Sequence, residues 1–219
     1  MTDSHGFVRA HTRLSPVPLV PEILLHQAEE AIALWERTES ASAAQQPPPF
    51  WGFAWAGGQA LARYVLDHPE LVAGRHVLDL AAGSGLVAIA AAKAGAASVT
   101  AVDIDPLSLA AVAANAAAND VLVTPLERDI LDTAPDAGVV LAGDVFYSRE
   151  MAERMMAYLQ RAAATGATVL AGDPGRAYLP RAGLRELAAY DVPVVATLED
   201  TEIKHTTIWQ VTPAEGAVR

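Results

Sequence analysis

Two acids, Asp79 and Asp103, flank a glycine bend at Gly83 and Gly85, and a third, Asp144, precedes the phenol of Tyr147 by three residues. The first set suits a small cationic ligand. Glycines let a ligand lie against the main chain, and a helix opening near Gly85 turns unpaired N–H groups and its positive dipole end toward the bend. Gly83-Ser84-Gly85 with Ala88 also fits the G-x-G-x-x-G/A fingerprint of dinucleotide sites, so the loop alone is a weak signal that also fits an NAD site or a tight strand-to-helix turn. Asp79 sharpens this reading. A carboxylate at a strand end, before the glycines, repels a pyrophosphate and attracts an ammonium or a sulfonium; S-adenosylmethionine carries both.

The elements that must position these groups follow from the pattern of apolar residues. His76 to Ala92 reads as a short strand, the bend and a small-residue helix. Ser98 to Val102 reads as a second strand ending at Asp103, and 103 − 85 = 18 residues is close to the interval at which a strand-end acid meets ribose hydroxyls. Asp105 before Pro106 has the form of a helix cap. A third strand, 121–126, leads to Asp129, either an acceptor for an adenine amino group or an exposed loop acid. The fourth, 138–142, ends in Gly143 and Asp144, where doubly wound folds place their chemistry.

A helix over 150–164 precedes a fifth strand over 168–171 and the turn Gly172-Asp173-Pro174-Gly175-Arg176, which sets a charge pair at the same edge. Beyond it the pattern predicts a helix over 180–190, a strand over 193–198, an acidic hairpin over 199–202 and a last strand over 206–211. Ahead of the glycine bend it predicts a helix from Val20 to Glu39, a Pro-rich linker from Ser40 to Pro49, and a helix over 59–67. The aromatic cluster from Phe50 to Trp55 fits either core or pocket wall, with Trp55 as the wall candidate. Residues 1–49 then form an N-terminal extension with helix and linker, and residues 50–219 the catalytic domain.

Composition narrows the function. A chain of 219 residues with 52% hydrophobic content suits one α/β domain with a sizeable core. Lys and Arg number 15 against 26 Asp and Glu, a formal charge of −11, which disfavours nucleic acid and favours a basic partner or cationic ligand. The absence of cysteine removes disulfides, thiolate metal sites and cysteine nucleophiles. The six histidines lack paired ligand spacing, so no metal is expected. Ser84 has Ala82 and Leu86 where a G-x-S-x-G elbow needs glycines. Pro16, Pro18 and Pro21 interrupt any early apolar run, so neither a secretory signal nor a membrane span is expected and the location is read as cytoplasmic.

With these residues in view, the chain resembles the class I, seven-stranded S-adenosylmethionine-dependent methyltransferases, through the strand-Asp79-Gly83-Gly85-helix unit and Asp103. Five further motifs narrow the likeness: Leu19-Val20-Pro21-Glu22-Ile23, Phe50-Trp51 with Trp55 to Leu61, Asp103-Ile104-Asp105-Pro106, Gly143-Asp144-Val145-Phe146-Tyr147, and Gly172 to Arg176. Together, from Thr12 to Trp209, they resemble the lysine methyltransferases of the electron transfer flavoprotein β-subunit. The resemblance implies a Rossmann-like, doubly wound α/β fold: a mostly parallel seven-stranded sheet with helices on both faces and an antiparallel C-terminal strand.

It implies S-adenosylmethionine as cofactor. Asp79 and Gly83, Ser84 and Gly85 would hold its methionine part, Asp103 the ribose, Ile104 and Asp129 the adenine, and Trp55 one wall. Asp144 and Tyr147 would hold the incoming amine of a protein substrate, the flavoprotein β-subunit. The family usually has glycine where this chain has Ala81, a departure that bears on loop geometry. Ribosomal protein L11 or a small amine such as nicotinamide remains open as acceptor. An NAD-dependent oxidoreductase and a non-catalytic binding module remain as rivals.

Overall fold

The computed structural model describes residues 3–40, 47–199 and 201–214, with nothing described of the Thr197 side chain. The element order follows from how the apolar residues alternate. In the strand β3 (His76–Leu80), Val77 points into one core cluster and Leu78 and Leu80 into another. In the strand β6 (Val139–Gly143), Val139 and Leu141 face the first side, Val140 and Ala142 the second. Side chains alternate along a strand, so near-continuous apolar runs of this kind mark strands buried on both faces.

Those strands belong to one seven-stranded sheet. It includes β4 (Ser98–Asp103), β5 (Thr124–Glu127), β7 (Thr168–Asp173), β8 (Leu184–Pro193) and β9 (Ile203–Val211), in the order β5-β4-β3-β6-β7-β9-β8. The first five neighbours pair in parallel, and β9 runs antiparallel to both β7 and β8. This is the doubly wound arrangement expected from the sequence. Chain order reverses between β3 and β6, which pair with Asp79 opposite Leu141. In such sheets the crevice outside the strand carboxyl ends at this switch is the ligand site.

Helices cover both faces. On one, α3 (Ala56–Asp67) and α4 (Leu86–Lys93) bury Ala60, Leu61, Val65, Ala88 and Ala91 against β3 and β6. On the other, α6 (Arg149–Ala164) buries Met155, Tyr158 and Leu159. The helix α5 (Pro106–Ala118) begins as read: Asp105 caps it, its Oδ1 accepting from Leu107 N at 2.9 Å, with Pro106 in the first turn.

The N-terminal extension differs from the expectation. The helix read over Val20 to Glu39 is a strand, β2 (Val20–Gln27), followed by a helix, α2 (Ala31–Ser40); a helix α1 (Ser4–His11) and a strand β1 (Arg13–Val17) precede them. β1 and β2 form an antiparallel hairpin. Val20, Ile23 and Leu25 bury against Leu86, Ile89 and Ala90 of α4, a pairing across the chain that overrides a 3.6-residue period spanning two elements. Asn115 of α5 and its C-cap Asn119 hold β2: Asn119 Oδ1 accepts from Leu24 N at 3.0 Å and Asn115 Oδ1 from His26 N at 2.7 Å. Of the expected linker, residues 41–46 lie outside the described residues.

A second difference lies near the C-terminus. The helix read over 180–190 is the strand β8, and the strand read over 193–198 gives way to a four-residue helix, α7 (Ala196–Glu199). Leu184-Arg185-Glu186-Leu187-Ala188-Ala189 are good helix formers locally. Antiparallel register with β9, from Leu184 opposite Val211 to Pro193 opposite Ile203, decides otherwise.

Candidate active site

A cavity of about 360 Å³ opens at the carboxyl edge of the sheet, across the switch between β3 and β6. It is lined by Trp55, Asp79, Ala81, Gly83, Ser84, Asp103, Ile104, Asp129, Asp144 and Tyr147, so the fold brings together every site residue read from the sequence except Gly85. Gly85 lies just behind, as the N-cap of α4.

The wall at β3 and β4 is built from backbone N–H groups held by carboxylates. Asp79 shares a face with Val77 and so points under α4, where its Oδ2 accepts from Ala88 N at 2.9 Å. It is 2% exposed, and burial, opposed by the Ala88 N–H and reinforced by the charge of Asp103, raises its pKa to about 7. Asp103, half-buried, accepts from Gly83 N at 2.9 Å and from Asp105 N at 3.0 Å. The bend closes with Gly85 N donating to Ala82 O at 2.8 Å.

Two backbone conformations shape this bend. Gly85 has φ +78°, and a Cβ there would lie 3.1 Å from Val112 Cγ2. Ala81 has φ +55°, a left-handed conformation that favours glycine. The substitution noticed in the sequence therefore sits where glycine would be most at ease, and the loop keeps its turn with an alanine in place. Ser84 is buried, and its carbonyl accepts from Asn115 Nδ2 at 2.8 Å, tying the bend to the same amide that holds β2.

The wall at β6 and β7 is built from charge. Asp144, at φ +57° just past β6, is 9% exposed. Its Oδ2 accepts a short hydrogen bond from Gly57 N, at the opening turn of α3. Its Oδ1 accepts from Arg176 Nε at 2.8 Å. Arg176 then donates to both carboxylate oxygens of Glu199, at 2.8 and 2.6 Å, and its guanidinium lies 5.8 Å from the Trp55 ring centre. Burial raises the Asp144 pKa to about 6, with Arg176 holding it from rising further. Burial works against the Arg176 charge, and its bonds to Glu199 and Asp144 overcome this and hold its pKa above the ordinary value.

Three aromatic rings close the mouth. Phe50 lies 5.4 Å from Tyr147 and 5.8 Å from Trp55, centre to centre, and Trp55 Nε1 donates to Phe50 O at 2.9 Å. Tyr147 is 46% exposed, with its pKa raised by burial of the hydroxyl and by Asp103. Ile104 is exposed at the rim. Asp129 is exposed as well, accepting from Leu131 N at 3.0 Å and from Arg154 at 2.9 Å, bonds that lower its pKa.

Sequence reading missed three contributors. The Gly57 N–H reaches Asp144 because α3 meets the sheet through glycines: a Cβ on Gly57 would lie 2.2 Å from Gly172 O, and one on Gly143 2.8 Å from Gly58 Cα. The Gly57-Gly58 pair and the glycine before each of Asp144 and Asp173 were the available signals. Glu199, read as part of an acidic hairpin, is buried beneath Arg176, and nothing local announced it. Asn115, whose amide joins the bend to β2, is the third. Asp200, in the same stretch, lies outside the described residues.

The family model described as ribosomal protein L11 methyltransferase matches residues 59–143. Electron transfer flavoprotein beta subunit lysine methyltransferase of Danio rerio is 38% identical over 216 residues, covering 95% of this chain and 83% of that protein. The Homo sapiens protein of the same name is 35% identical over 216 residues, covering 95% and 82%. Among solved structures, the ribosomal protein L11 methylase of Lactobacillus delbrueckii subsp. bulgaricus superposes with a TM-score of 0.53 at 20% identity, covering 73% of this chain and 81% of that one, a likeness of fold.

Proposed function

Because this chain belongs to the family of electron transfer flavoprotein beta subunit lysine methyltransferases, we propose that it transfers a methyl group from S-adenosylmethionine to a lysine side chain of that flavoprotein subunit. The observation that carries this reading is one cavity with two unlike walls. A carboxylate-lined glycine bend faces an aspartate and a phenol across the β3–β6 switch.

The residues present fit the donor. Nothing nearer than Trp51 Cα, at 4.0 Å, would meet a Cβ on Gly83, so the bend can take a ligand against its backbone. Asp79 is a buried carboxylate that accepts from the Ala88 N–H, and a cationic amino group beside it would restore its charge. In this reading Asp79 and Gly83 to Gly85 hold the methionine part, Asp103 the ribose hydroxyls and Trp55 one wall. Ile104 and Asp129 border the adenine.

When bound, S-adenosylmethionine would supply an electrophilic methyl carbon to the amine lone pair, with the C–S pair left on sulfur and the extra proton of the product amine lost to solvent. The chain's share is orientation, which contributes roughly 7–11 kcal/mol when alignment is good. Asp144 and Tyr147 aim the amine with carboxylate and hydroxyl oxygens. Phe50, Trp55 and Tyr147 exclude water from the approach, which favours the neutral amine over the ammonium.

The match to the ribosomal protein L11 methyltransferase model stops at Gly143, one residue before Asp144, so it bears on the donor wall. Incubating the protein with methyl-labelled S-adenosylmethionine and purified electron transfer flavoprotein tests the reading. Label on a β-subunit lysine is the expected result. Label confined to ribosomal protein L11 or nicotinamide, offered in parallel, would overturn the acceptor.

A further inference from the structure

Asp144 is not a free carboxylate waiting for an amine. Four groups converge on it: the Gly57 N–H from α3, the fork of Arg176 from the loop after β7, and, through that fork, Glu199 of α7 and the Trp55 face. The loop that presents Arg176 is itself fixed, since Asp173 Oδ1 accepts from Gly175 N and Arg176 N, both at 2.7 Å. Arg176 also lines the cavity. A fork donating to two carboxylates at once, over an aromatic face, is a guanidinium arrangement that lysine cannot reproduce.

We propose that Arg176 is a positioning residue that neutralises Asp144 and fixes its orientation, so that the acceptor pocket takes lysine as the uncharged amine, with Glu199 setting how much positive charge Arg176 presents. This rests on the methyl-transfer reading above. A bare Asp144 would attract an ammonium, which has no lone pair to attack with. Paired with Arg176 it still offers oxygen acceptors but little net negative charge. Among the described residues, the other titratable groups around the amine's position include Tyr147 beyond β6, Asp173 at the end of β7, Asp79 and Asp103 across the cavity and Lys204 of β9, 3.6 Å from Glu199. α3 presents a backbone N–H.

The sign of each substitution is opposite, which makes the inference testable. In R176Q the freed Asp144 stabilises the ammonium, so the rising limb of kcat against pH moves up by about one unit; kcat at pH 7 drops about tenfold and recovers at alkaline pH. In E199Q the less compensated Arg176 moves the limb down. R176K keeps the charge and loses the fork, so the limb stays near its wild-type position while kcat falls at every pH.

The profiles are measured with electron transfer flavoprotein as acceptor and labelled S-adenosylmethionine as donor, at saturating concentrations, with thermal melts of each variant. An R176Q limb at the wild-type pH, or a loss equal at all pH values, would overturn the proposal. Should R176Q melt below the assay temperature, E199Q decides, and a limb that stays or moves up overturns it. A wild-type protein that labels no lysine fails the methyl-transfer reading instead, and this inference with it.

Discussion

The two walls of the cavity use the same residue type in opposite ways. At β3 and β4, Asp79 and Asp103 hold backbone N–H groups of their own helix-opening bend, Ala88 and Gly83, only 9 and 20 residues away in sequence. At β6, Asp144 is held from 87 residues upstream by Gly57 and from 32 downstream by Arg176, which is anchored 23 residues further on by Glu199. The first wall is a local motif that can be carried from fold to fold. The second is assembled from α3, the β7 turn and α7. The difference teaches that, in the proposed function, donor recognition is local in the chain and acceptor chemistry is tertiary.

Separating the walls by mutation tests that contrast. The largest effect is expected for Asp144→Ala, which removes the oriented acceptor wall. Methyl transfer should fall about 10²–10³-fold, the scale for losing one preorganised polar group, while calorimetry shows donor affinity within a few-fold of wild type. Equal loss of donor binding would mean that the walls are not separable. Asp79→Asn should do the reverse, keeping an acceptor for the Ala88 N–H but losing the charge. Donor Kd should rise about 10–100-fold, as for a charged hydrogen bond worth ~1.5–3 kcal/mol, with kcat at saturation little changed.

Acidity sharpens the contrast further. With the Asp79 pKa raised to about 7 by burial in the unliganded protein, the carboxylate is charged above that pH and neutral below it. A bound cation lowers the pKa, so donor affinity should weaken about tenfold per unit as pH falls below 7. Titration calorimetry across that range would show it, and a flat profile in Asp79→Asn would assign it. The smallest effect is expected at Ala81. Relief of a left-handed alanine is worth ~1–2 kcal/mol, partly offset by the greater unfolded-state freedom of glycine. Ala81→Gly should therefore raise stability by under about 1 kcal/mol in a denaturant melt, without altering the acceptor wall.

How far the sequence carried the reading follows the same division. The glycine bend, the cap at Asp105 and the strand-end acids were legible because each depends on neighbours within a turn or one βα unit. The strand at residues 20–27 and residues 184–190 of the strand at 184–193 were read as helix. Their partners, α4 and α5 for one and β9 for the other, outweigh their local propensities. The burial of Glu199 shares that cause, since a glutamate in an acidic stretch looks solvated until a guanidinium is brought over it.

Taken by itself, the sequence determined the order of strands and bends from β3 to β7, and hence that Asp79, Asp103 and Asp144 would end on one edge of a doubly wound sheet, because alternation and turn chemistry act over a few residues. Which of those carboxylates would be matched by a half-buried cation was decided only when α3, the β7 turn and α7 packed together. The charge state of a buried group depends on everything that surrounds it in space, and the neighbours of Asp144 come from far along the chain.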